Sequence, residues 1–251
     1  MKKFEKIIFP VTIIVLFLLW EFWLKWAKVP AYRIPSPSSI FLQSKESYLL
    51  VLHHFKITLI ELVIGASIGI CLALFVGILF YWVPLLKNAF YLLARSVNSV
   101  PIPAIAIFIV LLFGVGIESK IVTATICVFF PIVSHTYHGL RATDPLKEKL
   151  MKSLNASRWQ KLIYLELPSA SAEIFTALET AVTVAVVGII VGEMLGGNQG
   201  LGFYILNHLY RMDNPKVLLA TFFAALLGIM AGGGVHYLKK KLIPWHPSVR
   251  Q

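Results

Sequence analysis

Three carboxylates, Glu61, Glu179 and Glu193, sit within or at the ends of long apolar runs. An ionisable group at membrane depth is costly, which makes each a candidate for solute handling. On a helix turning about 100° per residue, Thr176, Glu179, Thr183 and Glu193 fall within roughly 100° of one another. That is a polar stripe facing a bundle interior. It could border a translocation route or simply hydrogen-bond neighbouring helices. Asn98 and Ser99 precede Pro101 and Pro103, two prolines that remove backbone donors and should bend or interrupt a helix. Irregular backbone at membrane depth is tolerated where it lines a cavity, so pathway lining and a plain kink both fit. Bond-making chemistry has no support. The seven histidines show no HExxH context, and neither GxSxG nor a Walker A sequence is present. Cys71 and Cys127 lie in apolar runs and read as buried thiols, so no metal site or disulfide is expected.

The elements that position these groups follow from composition. The 251 residues are 58% hydrophobic and 14% charged, with a mean hydropathy of +0.78. An average soluble chain is about 25% charged. A chain this short makes one or two domains and cannot hide that apolar surplus, so the surplus faces lipid. The net charge of +11 would point to nucleic acid in a soluble protein. Here it serves orientation and anchoring, and no nucleic-acid partner is expected.

A crossing helix needs about 20 mainly apolar residues. Six candidates emerge, at about 7–24, 57–83, 89–113, 119–139, 174–195 and 216–238. The first is opened by Lys2, Lys3 and Lys6 and closed by Trp20, Trp23 and Trp26, as an interfacial aromatic belt would close it. We read it as an uncleaved span, because no small-residue cleavage site follows. An even count puts both termini on one side. Most of the 23 Lys and Arg then share that side, Arg141 and the Lys239–Lys241 run among them, which makes it cytoplasmic. In the second span Gly65, Gly69, Ala73 and Gly77 form a small-residue stripe suited to close helix packing, and Gly228 and Gly232 do the same in the sixth. Residues 196–215 read as an outer loop. With no internal repeat, residues 1–251 form a single transmembrane domain.

Residues 140–173 make the one substantial inner segment. Asp144 is a good N-cap, Pro145 suits the first helical position and Glu148 falls in the first turn. Asn155 tolerates the left-handed conformation and predicts a helix stop. Ser157 then caps a second short helix whose Trp159 and Leu162 offer apolar anchors beside Arg158 and Lys161, with Pro168 marking its end. Such a helix could lie on the bilayer or dock in a partner's groove.

The Asp144-Pro145, Leu-Asn155-Ala156-Ser-Arg-Trp-Gln and Leu167-Pro168 pattern resembles the cytoplasmic loop of binding-protein-dependent ABC importer permeases. Lys149, Leu150 and Met151 stand where that loop carries Glu-Ala-Ala, and Asn155 where it carries Gly. The likeness extends to Ile34-Pro-Ser-Pro, Ser96-Val-Asn-Ser-Val-Pro-Ile-Pro, Phe113-Gly-Val-Gly, Val191-Gly-Glu-Met-Leu-Gly and Gly200-Leu-Gly-Phe, segments similar to those of the nitrate/sulfonate/taurine-type subfamily. It implies an all-α polytopic fold of six helices, the MetI-like permease fold, in the bacterial plasma membrane with both termini cytoplasmic. It also implies coupling to a cytoplasmic ABC ATPase dimer through Asp144, Glu148, Asn155, Ala156, Ser157, Arg158, Trp159, Leu162 and Pro168. The other implied partners are an extracytoplasmic solute-binding protein and a second copy of the permease. ATP and Mg would belong to the ATPase, leaving no cofactor and no enzyme activity in this chain. The implied cargo is a small solute, either sulfonate-, taurine- or nitrate-like or a thiamine-pyrimidine-type precursor. A secondary transporter or channel uncoupled from an ATPase is the competing reading, and the missing repeat stands against it.

Overall fold

The computed structural model describes residues 2–30, 33–43, 47–83, 97 and 99–244, and every regular element among them is helical. They are α1 (Lys2–Trp26), α2 (Pro37–Gln43), α3 (Tyr48–Trp82), α4 (Ile102–Phe113), α5 (Ile117–Arg141), α6 (Pro145–Ser153), α7 (Arg158–Lys161), a π turn (Leu162–Glu166), α8 (Leu167–Gly196), α9 (Leu201–Tyr210) and α10 (Asn214–Leu242). Among the described residues four helical units are long and apolar enough to cross a membrane: α3, α5, the run Arg158–Gly196 and α10. The 25-residue α1 has comparable length and exposes Ile14, Leu16, Leu18 and Phe22, as lipid contact requires.

Small residues set the packing. Lipid tails are as apolar as leucine, so helices associate where their backbones come close. A Cβ on Gly65 would sit 2.5 Å from Ala124 Cβ, one on Gly69 2.8 Å from Thr125 O, and one on Gly77 2.7 Å from Thr136 Cβ. The stripe expected in the second span is therefore the α3 face against α5, where Thr125 Oγ1 also donates to Gly65 O at 3.0 Å. Ala177, Ala181, Ala185 and Gly188 bring α8 into the same core, around Val128, Ile132 and Ile189. Gly232 lets α10 approach Thr183 on α8.

The boundaries differ from expectation in four places. The second span begins at Tyr48, nine residues early. His53, His54 and Lys56 end the apolar run there, but His54 is buried and its Nδ1 accepts from Gly200 N at 3.0 Å, so a polar patch continues the helix. The third span is not one continuous helix from 89 to 113. A turn at Ser99 leads to Pro101, whose ψ of 132° is extended, and only the 12-residue α4 follows. The inner turn at 84–88, the start of that span and Asn98 lie outside the described residues. The expected loop 196–215 contains the ten-residue α9.

Pro168 does not end a helix. The short helix after Ser157 runs on into α8 through the π turn, in which Leu167 N donates to Leu162 O rather than to the carbonyl four residues back. The widened turn leaves space for the proline ring and for the donor it lacks. Ser169 Oγ donates to Leu165 O at 2.7 Å, satisfying a carbonyl of that turn.

Candidate functional site

The segment between α5 and α8 is capped as its residues foretell. Asp144 Oδ1 accepts from Leu146 N at 2.8 Å. Asn155 stands at φ +53°, with Ala156 N returning to Met151 O at 3.0 Å. Ser157 and Gln160 exchange a full capping box, at 2.8 and 3.2 Å. Asn155→Gly should retain this turn, whereas Asn155→Val should destabilise the segment by about 1–2 kcal/mol, because a β-branched residue resists positive φ. Faster hydrogen exchange confined to residues 145–161 would register the loss, and wild-type exchange in the valine variant would contradict it.

The apolar surface of this segment lies elsewhere than expected. Leu162 is 2% exposed and packs with Leu140, Ala170, Ile78 and Ile174 inside the subunit. It is a core residue, not a surface anchor, because the helix that carries it continues into the bundle. Trp159 is 59% exposed and meets Trp82 edge to face at 4.4 Å. The exposed ridge is on α6, where Leu146, Leu150 and Leu154 recur every fourth residue and no residue is buried. That i, i+4, i+8 spacing stands in the sequence, beside the tryptophan. Glu148 and Lys161 pair at 3.3 Å across α6 and α7, and Lys161 also pairs with Glu166 at 2.9 Å. Glu166 accepts in addition from the Tyr81 hydroxyl of α3.

The stripe on α8 divides. Thr176, Glu179 and Thr183 face α10: Lys239 Nζ donates to Thr176 Oγ1 at 3.0 Å, and His236 Nδ1 lies 3.2 Å from Glu179 Oε1. Thr183 is exposed, and so is Thr180 one turn before it. Glu173, one turn below Thr176, pairs with His135 of α5 at 3.2 Å. Ser99 and Pro101 belong to the break before α4 and Pro103 to its first turn, away from the α8–α10 face in sequence and element.

Glu193 parts from the other three and is wholly buried at the far end of α8. Its Oε1 accepts from Thr58 Oγ1 of α3 and its Oε2 from Gly202 N of α9, both at 2.7 Å. Thr58 Oγ1 in turn accepts from Leu201 N at 2.9 Å. The first turn of α9 thus has its free N–H groups taken by side chains of α3 and α8. Glu61, also buried, carries an Oε2 without a hydrogen-bond partner beside this cluster. Lys120 Nζ holds the carbonyls of Val115, Gly116 and Gly196 at 2.8, 3.1 and 2.7 Å, tying the α4–α5 turn to the end of α8. Beyond α9, burial raises the Asp213 carboxyl, but the Lys216 ammonium at 2.7 Å outweighs it and holds the group below its ordinary range.

Residues 65–244 match the family described as binding-protein-dependent transport system inner membrane component. The chain is 33% identical to the formylaminopyrimidine transport permease protein ThiX of Halalkalibacterium halodurans, over 92% of this chain and 93% of that protein. It is 29% identical to the riboflavin transport system permease protein RibX of Chloroflexus aurantiacus, over 95% and 90% of the two chains. It is 27% identical to a putative aliphatic sulfonates transport permease protein, SsuC, of Bacillus subtilis, over 88% and 80%.

Proposed function

The chain belongs to the binding-protein-dependent transport system inner membrane component family, and from that premise we propose how it couples a partner ATPase to solute import. As a member it is the multi-pass plasma-membrane permease subunit of an ABC importer. It is a transport component and not an enzyme, with ATP hydrolysis in a separate subunit and a solute-binding protein as its other partner. The rest is our reading. Residues 1–251 form one domain of six spans with both termini cytoplasmic. Two copies enclose the route, and lipid covers their outer faces.

One observation carries the coupling. Arg158–Gly196 is a 39-residue helical unit, continuous through its π turn. At one end it bears the exposed Trp159 and the Glu148–Lys161 tie to α6. In its middle it bears Thr176, Glu179 and Thr183, and at its far end the buried Glu193. A force on α6–α7 is therefore transmitted along a single rod. An ATPase that grips the leucine ridge of α6 and the Trp159 edge in only one of its own states biases the permease between two states. Asp144, Asn155, Ala156 and Ser157 fix the angle between the two grips, and Pro168 sits where the rod enters the bundle. Thr180 and Thr183 offer the solute exposed hydroxyls, beside the engaged Thr176 and Glu179.

That face also favours one cargo class. Its basic side chains are engaged, Lys239 by Thr176 and Glu179 and His236 by Glu179, which leaves none free there for an oxyanion among the described residues. A neutral heteroaromatic solute with hydrogen-bonding edges, of the formylaminopyrimidine kind named for one relative, suits it better than a sulfonate. Trp159→Ala and Leu150→Asp should each leave the subunit folded yet cut co-purification with the ATPase, by about 2 kcal/mol or more for a buried anchor. A cysteine at Asn198 should label with an impermeant thiol reagent from outside intact cells, and one at Ser153 should not. Outside labelling of Ser153, or full ATPase retention by both variants, would overturn the coupling scheme.

A further inference from the structure

We propose that the cavity between the ends of α3 and α5 and the α6–α7 segment binds a phosphate-bearing anion, supplied by the headgroup of an anionic phospholipid. The cavity measures about 690 Å³ and is lined by Tyr81 and Trp82 of α3, Tyr137 and Arg141 of α5, and Arg158 and Lys161 of α7.

The charges around it do not cancel. Glu148 and Glu166 also line the cavity, but both are occupied by Lys161, at 3.3 and 2.9 Å, and Glu166 by the Tyr81 hydroxyl as well. Arg141 donates to Tyr137 Oη at 2.6 Å and lies over the same ring at 5.7 Å, with no carboxylate partner among the described residues. Arg158 makes no ion pair among them either. Lys161 cannot neutralise both carboxylates, so the charged groups lining the cavity sum to one net positive charge, with two arginines that lack a carboxylate partner among the described residues. Their planar forks suit a phosphate, which each can hold by two parallel hydrogen bonds.

The position of the cavity favours a lipid over a free anion. Trp82 and Arg141 are the last residues of two membrane-crossing helices, so the cavity opens where hydrocarbon gives way to water. Tryptophans favour that level, and Trp82 and Trp159 meet at it. Basic pockets between spans at that depth accommodate acidic headgroups. Along α3, Ile68, Phe75 and Trp82 recur every seventh residue on one face and all three are exposed, an apolar track for the acyl chain above the headgroup.

The test uses the full-length chain, delipidated in detergent and titrated with phosphatidylglycerol, phosphatidylcholine or inorganic phosphate, with bound lipid read by native mass spectrometry and unfolding by thermal shift. One phosphatidylglycerol per chain should be retained and should raise the unfolding midpoint, with phosphatidylcholine weaker on both readouts. Arg141→Gln and Arg158→Gln together should weaken phosphatidylglycerol about a hundredfold, roughly tenfold for each guanidinium, and remove its advantage over phosphatidylcholine. Should the double variant elute as an aggregate, Arg158→Gln alone, at an exposed site, carries the comparison. Equal retention of the two lipids, or unaltered phosphatidylglycerol binding in the variants, would overturn the proposal. Stabilisation by inorganic phosphate with phosphatidylglycerol inert would assign a free anion instead. Release of the lipid on adding the ATPase would make the cavity a seat for the partner protein. None of these readouts depends on which side of the membrane the segment occupies, so the site and the coupling scheme fail separately.

Discussion

Leu162→Asp is expected to remove the folded subunit, not merely its contact with the ATPase. The side chain is 2% exposed and fills the junction where the π turn meets α3, α5 and the start of α8, against Ile78, Leu140, Ala170 and Ile174. Deleting a buried leucine costs about 2–5 kcal/mol. Placing a carboxylate there adds a desolvation penalty that no cation in that apolar cluster offsets. The nearest ammonium, Lys161, is already shared between Glu148 and Glu166. Yield after size-exclusion chromatography and the thermal midpoint should both collapse, while Leu162→Met should keep most of each. Trp159→Ala, three residues earlier and largely exposed, should lose ATPase binding with the midpoint nearly unchanged. An aspartate variant of normal midpoint that fails only in ATPase binding would return Leu162 to the surface and refute the packing seen here.

What the sequence reveals about this segment, and what it does not, divides along the same line. Asp144, Asn155 and Ser157 act on backbone within three residues of themselves, so residue type and spacing suffice to place them. Leu150 on α6 and Leu162 in the π turn are the same residue type twelve positions apart. Which of them is buried is decided by α3 and α5, about 80 and 20 residues away in the chain, and no local pattern carries that. Pro168 misleads for a related reason. A proline ordinarily stops a helix, and only the π turn, held by the packing around Leu162 and Leu165, lets the helix pass it.

The spans show the same division at larger scale. Hydropathy locates α5, α8 and α10 because lipid exposure demands long apolar runs. It misplaces the start of α3, because His54 is a polar side chain satisfied internally. Helical angles placed Thr176, Glu179, Thr183 and Glu193 on one broad face. They could not tell that α10 meets the first three while α3 and α9 meet the fourth. The helix α9 itself was legible in principle, since Leu201, Tyr204, Ile205 and His208 recur at helical spacing, but the glycines around it outweighed that signal.

Glu193→Ala should undock α9 and abolish import while leaving ATPase binding intact. The carboxylate accepts from Thr58 Oγ1 and Gly202 N, each at 2.7 Å. Without it the Thr58 hydroxyl can still donate to His54 O at 3.2 Å, but the buried Gly202 amide is stranded, at about 1–3 kcal/mol, and a cavity opens between α3 and α8. A total loss of about 3–5 kcal/mol follows, concentrated at the far end of the rod. Gly200, at φ +95°, closes the short loop that then comes free, so protease cleavage near 197–200 should rise sharply. Glu193→Gln keeps one acceptor and should fall midway. Thr58→Val tests the connection from the other side: its effect and that of Glu193→Ala should be strongly non-additive, because both break one network. The α6–α7 segment lies at the opposite end of the same helix and keeps its own caps, so co-purification with the ATPase should survive. Simple additivity of the two substitutions, or normal import by Glu193→Ala, would mean that α9 is held by its apolar contacts around Leu201 and Tyr204 alone.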